Sequence, residues 1–135
     1  VTKTITFDGG TANAIGDHDG TGDPFTIFTV TGNVKAKVYA ICTTNLAGAS
    51  ATVEVGTASD TAAIIAQTTA TDIDAGEIWH DASPDATVEA SSVITENIIA
   101  NGADIVGTVD TANITAGVIV FICEWIPISS DGNVE

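Results

Sequence analysis

Apolar side chains recur at every second position over short stretches of this chain, and Gly-containing turn signals separate those stretches. Alternation is the period of a strand, whose side chains point in turn to two faces. No sustained apolar spacing of three and four residues, bounded by caps, marks a helix. The pattern predicts an all-β domain. Lys3 to Phe7 is a first short strand, closed by Asp8-Gly9-Gly10 and followed by a polar, Gly-rich loop. Phe25 to Val30 is rich in β-formers and breaks at Thr31-Gly32-Asn33; Val34 to Cys42 then resumes the alternation, so a hairpin is expected between them. In the second run Val34, Ala36, Val38, Ala40 and Cys42 share one face, the expected core face, and Lys35, Lys37, Tyr39 and Ile41 share the other.

Farther along, Ala51 to Val55 alternates around Glu54, and Ile64-Ile65 opens a second apolar patch in a segment ending at Ile78-Trp79. Two or three strands are expected there. Thr87-Val88-Glu89 and Ser92 to Ala100 follow as further strand runs, and Asn101-Gly102 is a strong two-residue turn that predicts a second hairpin with Asp104 to Val109. The longest apolar run, Val118 to Ile126, is apolar on both faces, as in a central strand covered on both sides. A helix could give the same run, but its β-branched content and the flanking Gly117 and Pro127 favour a strand. Ile73 to Ile78 echoes Ile114 to Ile119 in placing Ala-Gly before a strand; similar turns explain this better than duplication.

At 135 residues the chain is expected to be a single domain, 1–135, a single antiparallel β-sandwich of jelly-roll-like form. A chain of this size hides roughly two-thirds of its unfolded surface, so no cofactor or staple is required for folding. Charge changes the picture more than length does. Eighteen acidic residues stand against three lysines and no arginine, a formal net charge of -15. Only Lys3, Lys35 and Lys37 could meet phosphate, which argues against nucleic acid and an anionic membrane as partners. Such acidity often accompanies disorder, yet 44% of the residues are hydrophobic and mean hydropathy is positive. The charged fraction of 16% is well under the roughly 25% typical of soluble domains. Surface covered by other protein chains is therefore expected; the bland alternative is a monomer exposing many small Ala and Thr side chains.

No run reaches the ~20 apolar residues of a membrane-spanning helix, and Val1 to Ile5 lacks the apolar region of a signal peptide. The absence of Met, also at position 1, points to a removed initiator or a cleaved prepeptide. Cys42 and Cys123 lie in apolar strand runs and are expected as buried thiols; a disulfide is the alternative and would need neighbouring strands.

Candidate chemistry is sparse. Asp17, Asp19 and Asp23, around Gly20 and Gly22, place oxygen ligands as a calcium loop would, but the twelfth position is Phe28, Pro24 interrupts the loop and no helices flank it. A solvated acidic turn is the expectation, with no metal and no cofactor. His80 and Asp81 are adjacent, and on a strand they would point to opposite faces, which argues against an acid–base pair. No nucleophile elbow, phosphate loop or Cys-x-x-Cys accompanies either histidine, so no catalytic residue is assigned and no enzymatic activity is expected. Trp79, Tyr39, Phe25 and Trp125 could form a sugar-stacking platform, although core positions are the commoner use of so few aromatics.

The Gly-rich acidic N-terminal loop, Val53-Glu54-Val55-Gly56-Thr57, Ile73-Asp74-Ala75-Gly76-Glu77-Ile78-Trp79 and the ending Trp125 to Gly132 resemble small virion proteins of tailed bacteriophages. The resemblance implies a capsid decoration or cement protein on the virion surface, typically a homotrimer, bound to the major capsid protein or other virion subunits. It carries over no functional residues. Two other expectations stand beside it. One is a recognition module on a phage tail or cell surface that holds glycan or calcium with the 8–24 loop and Trp79. The other is a self-assembling extracellular subunit that polymerises by strand exchange.

Overall fold

The computed structural model describes residues 1–135, and the alternating runs form eleven strands. They are β1 (Thr2–Thr6), β2 (Phe25–Phe28), β3 (Val30–Thr31), β4 (Val34–Ala47), β5 (Thr52–Thr57), β6 (Asp60–Thr69), β7 (Ile78–Trp79), β8 (Glu96–Ile99), β9 (Ile105–Asp110), β10 (Ala116–Pro127) and β11 (Asn133–Val134). Single turns of 3-10 helix at Ala70–Asp72 and Ser91–Val93 are the only helical segments. The strands form an antiparallel β-sandwich. One sheet has the order β1-β10-β4, with β7 and β8 both pairing the far edge of β4; the other is β2-β9-β5-β6. β3 and β11 make a two-residue ladder apart from both.

β4 and β10 form the spine of the first sheet, with eleven registered residue pairs from Ala116↔Ala47 to Pro127↔Val34. The register slips near Gly117, whose φ of +125° and Cβ direction into Leu46 suit only glycine. The face of β4 expected to be buried is buried: Val34, Ala36, Val38, Ala40 and Cys42 all lie in the core with Ile119, Phe121 and Cys123 of β10. From the second sheet come Phe25, Ile27, Val53, Val55, Ile65, Ile105 and Val109, and the buried set forms one cluster of 27 residues. Trp79 is at its centre, edge-on to Phe121 with ring centroids 6.0 Å apart, and its indole N–H donates to Thr68 Oγ1 at 2.9 Å.

Several local expectations fail for a common reason. Neither expected hairpin forms: β2 pairs β9 while β4 pairs β10, and β8 pairs β4 while β9 pairs β5 and β2. The turns themselves are present, with left-handed φ at Gly32, Asn101 and Gly102, but Asn101-Gly102 sends the chain from the first sheet to the second, and Gly32 leads from the β3–β11 ladder into β4. A four-residue β2 cannot satisfy the backbone of a fourteen-residue β4, whereas the twelve-residue β10 can pair most of it. Thr87-Val88-Glu89 is loop, and the run from Ser92 to Ala100 shortens to Glu96–Ile99. β10 is central in its sheet, as expected, but this chain buries only one of its faces: Val118, Val120 and Ile122 stay half-exposed.

Candidate functional site

Cross-strand partners in an antiparallel sheet share a face, so the register defines the outer face of the first sheet residue by residue. β1 contributes Thr2, Thr4 and Thr6 opposite Ile122, Val120 and Val118 of β10. β4 contributes Ile41, Tyr39, Lys37 and Lys35 opposite Val120, Ile122, Glu124 and Ile126. β8 adds Glu96 and Ile98 beside Lys37 and Lys35, and β7 adds Ile78 beside Ile41. The result is an apolar band from Val118 to Ile122 that ends in a charged row.

In that row Lys35 Nζ lies 3.0 Å from Glu96 Oε1. Lys37 instead donates to the Ser91 carbonyl at 3.2 Å, and Glu124 accepts the Tyr39 hydroxyl at 3.3 Å. Burial, followed by the neighbouring Glu124 carboxylate, raises the Tyr39 pKa above its ordinary value. A depression of about 310 Å³ between these side chains is lined by Lys35, Lys37, Glu96, Glu124, Trp125 and Ile126. Exposed apolar side chains continue beyond it. Ile98 and Ile126 flank Lys35 in register, and Ser91 beside Lys37 brings the loop carrying Val88 and Val93 to the same end of the sheet. Val88 is 87% exposed and Ile98 73%, and Val93, Ile126 and Ile128 are exposed as well.

The N-terminal acidic loop is organised in another way. Asp17 Oδ2 accepts the Asn13 amide at 2.8 Å, Asp23 Oδ1 accepts the Val109 amide at 2.7 Å, and Asp19 reaches His18 Nε2 at 3.4 Å. The three carboxylates thus turn to three different partners, and no group of three or more His, Cys, Asp or Glu side chains is disposed to hold a metal ion. Burial pushes the Asp23 carboxyl up, partly offset by the Val109 amide. Asn113 anchors the loop: its Oδ1 accepts the His18 amide at 3.2 Å and bonds the His18 ring, and its Nδ2 donates to the Gly9 carbonyl at 2.7 Å. The ring bond to Asn113, aided by Asp19, Asp17 and Asp110, raises the His18 pKa. Nothing in the sequence marked Asn113, which is 95 residues from His18.

His80 and Asp81 fall after the end of β7, so strand alternation does not separate them as expected. The imidazole is held between Asp81, 3.8 Å from Nδ1, and Glu89, 3.6 Å from Nε2. It ties down the 80–89 loop. Of the four aromatics considered as a platform, Trp79 and Phe25 are core residues, so only Tyr39 and Trp125 remain near the surface. Cys42 and Cys123 are buried free thiols; their strands are neighbours, but Cys42 pairs with Ile119 and Cys123 with Val38, four positions out of step. Burial raises both thiols, Cys123 to about 11.

Compared with family models, curated proteins and solved structures, the chain finds no match.

Proposed function

We propose that this chain is a structural subunit of a virion, a decoration or cement protein that binds across capsid subunits as a homo-oligomer. The observation that carries the reading is the exposed apolar group at one end of the first sheet, Val88, Val93, Ile98, Ile126 and Ile128, on a chain of net charge -15. Single surface apolar residues are ordinary, but neighbouring ones around two lysines are the composition of a contact surface. The remaining acid keeps particles apart in solution.

The strand orders support the reading by analogy. Chain connections alternate between the sheets at β1 to β2, β4 to β5, β6 to β7, β8 to β9 and β9 to β10, an alternation that supports reading the sandwich as jelly-roll-like. Viral capsid domains use that architecture, and so do lectins, so the fold alone does not choose between assembly and recognition. The burial of Trp79 and the divergence of Asp17, Asp19 and Asp23 favour assembly. The test is particle stability. Virions lacking the protein should release their genome at lower temperature and in lower salt than complete ones, and added protein should restore them. Particles indifferent to its presence would refute the role.

A further inference from the structure

The apolar band on the outer face of the first sheet meets the exposed group at its end through Ile98 and Ile126, which flank Lys35, and its charge balance says what covers it. Two lysines, Lys35 and Lys37, and two glutamates, Glu96 and Glu124, lie on that face by register and cancel formally. The whole net charge of -15 therefore sits on other surfaces. A basic partner would be drawn to those surfaces and would gain nothing at a neutral one. Two copies of the chain, each of net charge -15, meet with least repulsion through a face whose own charges cancel.

We propose that the outer face of β4 and β10 is the contact between two copies of this chain, related by a twofold axis parallel to the strands and midway between them. The inference rests on the reading of the chain as an assembly subunit and names the occupant of one of its surfaces. Such an axis carries every β4 residue of one copy over the cross-strand partner of that residue in the other. Tyr39 then meets Ile122, Ile41 meets Val120 and Lys35 meets Ile126, each contact occurring twice.

Lys37 meets Glu124 in the same way. These two are opposite in register but make no ion pair within the chain, because Lys37 is turned to Ser91 and Glu124 to Tyr39. Both charges are left to pair across the axis. The area suffices. The twelve residues of β10 extend about 40 Å at roughly 3.3 Å each. β4 and β10 at full length, with the short β1, β7 and β8 beside them at ~4.8 Å spacing, make the face on the order of 600 Å², the lower end of the ~600–1,000 Å² per partner of standard stable interfaces. Sheets packed face to face keep their strands within about 30° of each other, the geometry this axis generates.

The solution unit is then a dimer, in place of the trimer that the phage resemblance implies. The experiment is sedimentation equilibrium on the chain and five variants, with circular dichroism to establish folding. The unaltered chain should be a dimer and Val120→Glu a folded monomer. Lys37→Glu or Glu124→Lys alone should weaken dimerisation about tenfold or more, because each sets like charges face to face, and the double exchange should restore it. Thr26→Glu, on the outer face of the other sheet, should remain a dimer.

A chain that stays monomeric at high concentration overturns the proposal, as does a folded Val120→Glu with unaltered mass or a double exchange that fails to recover. If Val120→Glu does not fold, the charge exchange, made on surface side chains, decides alone. A monomer that still protects particles removes this inference and leaves the assembly role standing. A face-dependent dimer that leaves particles unchanged does the reverse.

Discussion

The two sheets of this sandwich bury similar interiors and present opposite exteriors. Outside the first lie Val118, Val120, Ile122, Tyr39 and Ile41, with a neutral row of lysine and glutamate. Outside the second, the register places Thr26, Thr52, Glu54, Thr108 and Asp110, with Val106 the apolar exception in the same β9–β5 ladder. A folded sandwich requires only its inner faces to be apolar, so an outer face is free to take the composition its surroundings favour. The second outer face is composed for water. The first is apolar with a charge-neutral row, the composition that the proposed contact requires, and strand propensity does not explain the difference, since threonine serves a strand as well as valine.

The comparison can be broken most directly on β10, where neighbouring residues point to opposite faces. Phe121→Ala opens a cavity beside Trp79 and should lower unfolding free energy by about 3–5 kcal/mol in urea titrations. Val120→Thr should cost less than about 1 kcal/mol under conditions that keep the chain monomeric. Equal costs would mean that the outer face is already covered within the single chain.

The second sheet is tested next at Gly107, where an added Cβ would come within 2.2 Å of the Phe25 ring. Gly107→Ala should destabilise by roughly 1–3 kcal/mol in the same assay, and Phe25→Leu should recover part of that loss. No recovery would show that backbone freedom, not the ring, requires the glycine.

Asp23 closes the end of the same sheet through Val109. Asp23→Ala leaves that amide unpaired and should cost about 1–2 kcal/mol, whereas Asp23→Asn keeps an acceptor. The pH dependence follows from the direction of the shift. Because the folded pKa is raised, this group's contribution is fully present below the unfolded pKa and is lost as pH rises through the folded one. Thermal melts should therefore show Asp23→Asn gaining on the native chain as pH rises out of the acid range. A constant difference would indicate an unshifted carboxyl.

The smallest effect is expected at Thr108, whose hydroxyl is buried without a partner on the otherwise polar outer face. Thr108→Val removes that unsatisfied group and should stabilise by about 0.5–1 kcal/mol in urea titration. Destabilisation would mean that the hydroxyl has a partner in solution.

Much of the fold was legible because alternation is a local property. The face of β4 carrying Val34, Ala36, Val38, Ala40 and Cys42 could be read directly, and so could the grouping of Lys35, Lys37, Tyr39 and Ile41 opposite it. The candidate surface was only half legible. Its β4 half is visible as a mixed face, but its β10 half reads as a strand covered on both sides, because an apolar run does not say whether its cover comes from its own chain. Glu96 gave no signal at all, since its pairing with Lys35 depends on a β8–β4 ladder that no local pattern encodes.

Residues alone thus determined the strand class, the core face of β4, the turn positions at Gly32 and Asn101-Gly102, and the excess of acid, all consequences of short-range sterics, burial and charge. Which strands meet was decided only in three dimensions. Turns that locally favour hairpins instead carry the chain between sheets, because β4 and β10 satisfy far more backbone groups with each other than with their sequence neighbours. That pairing also sets Val120 beside Ile41 and Lys37 beside Glu124, and so creates a surface that neither strand possesses alone.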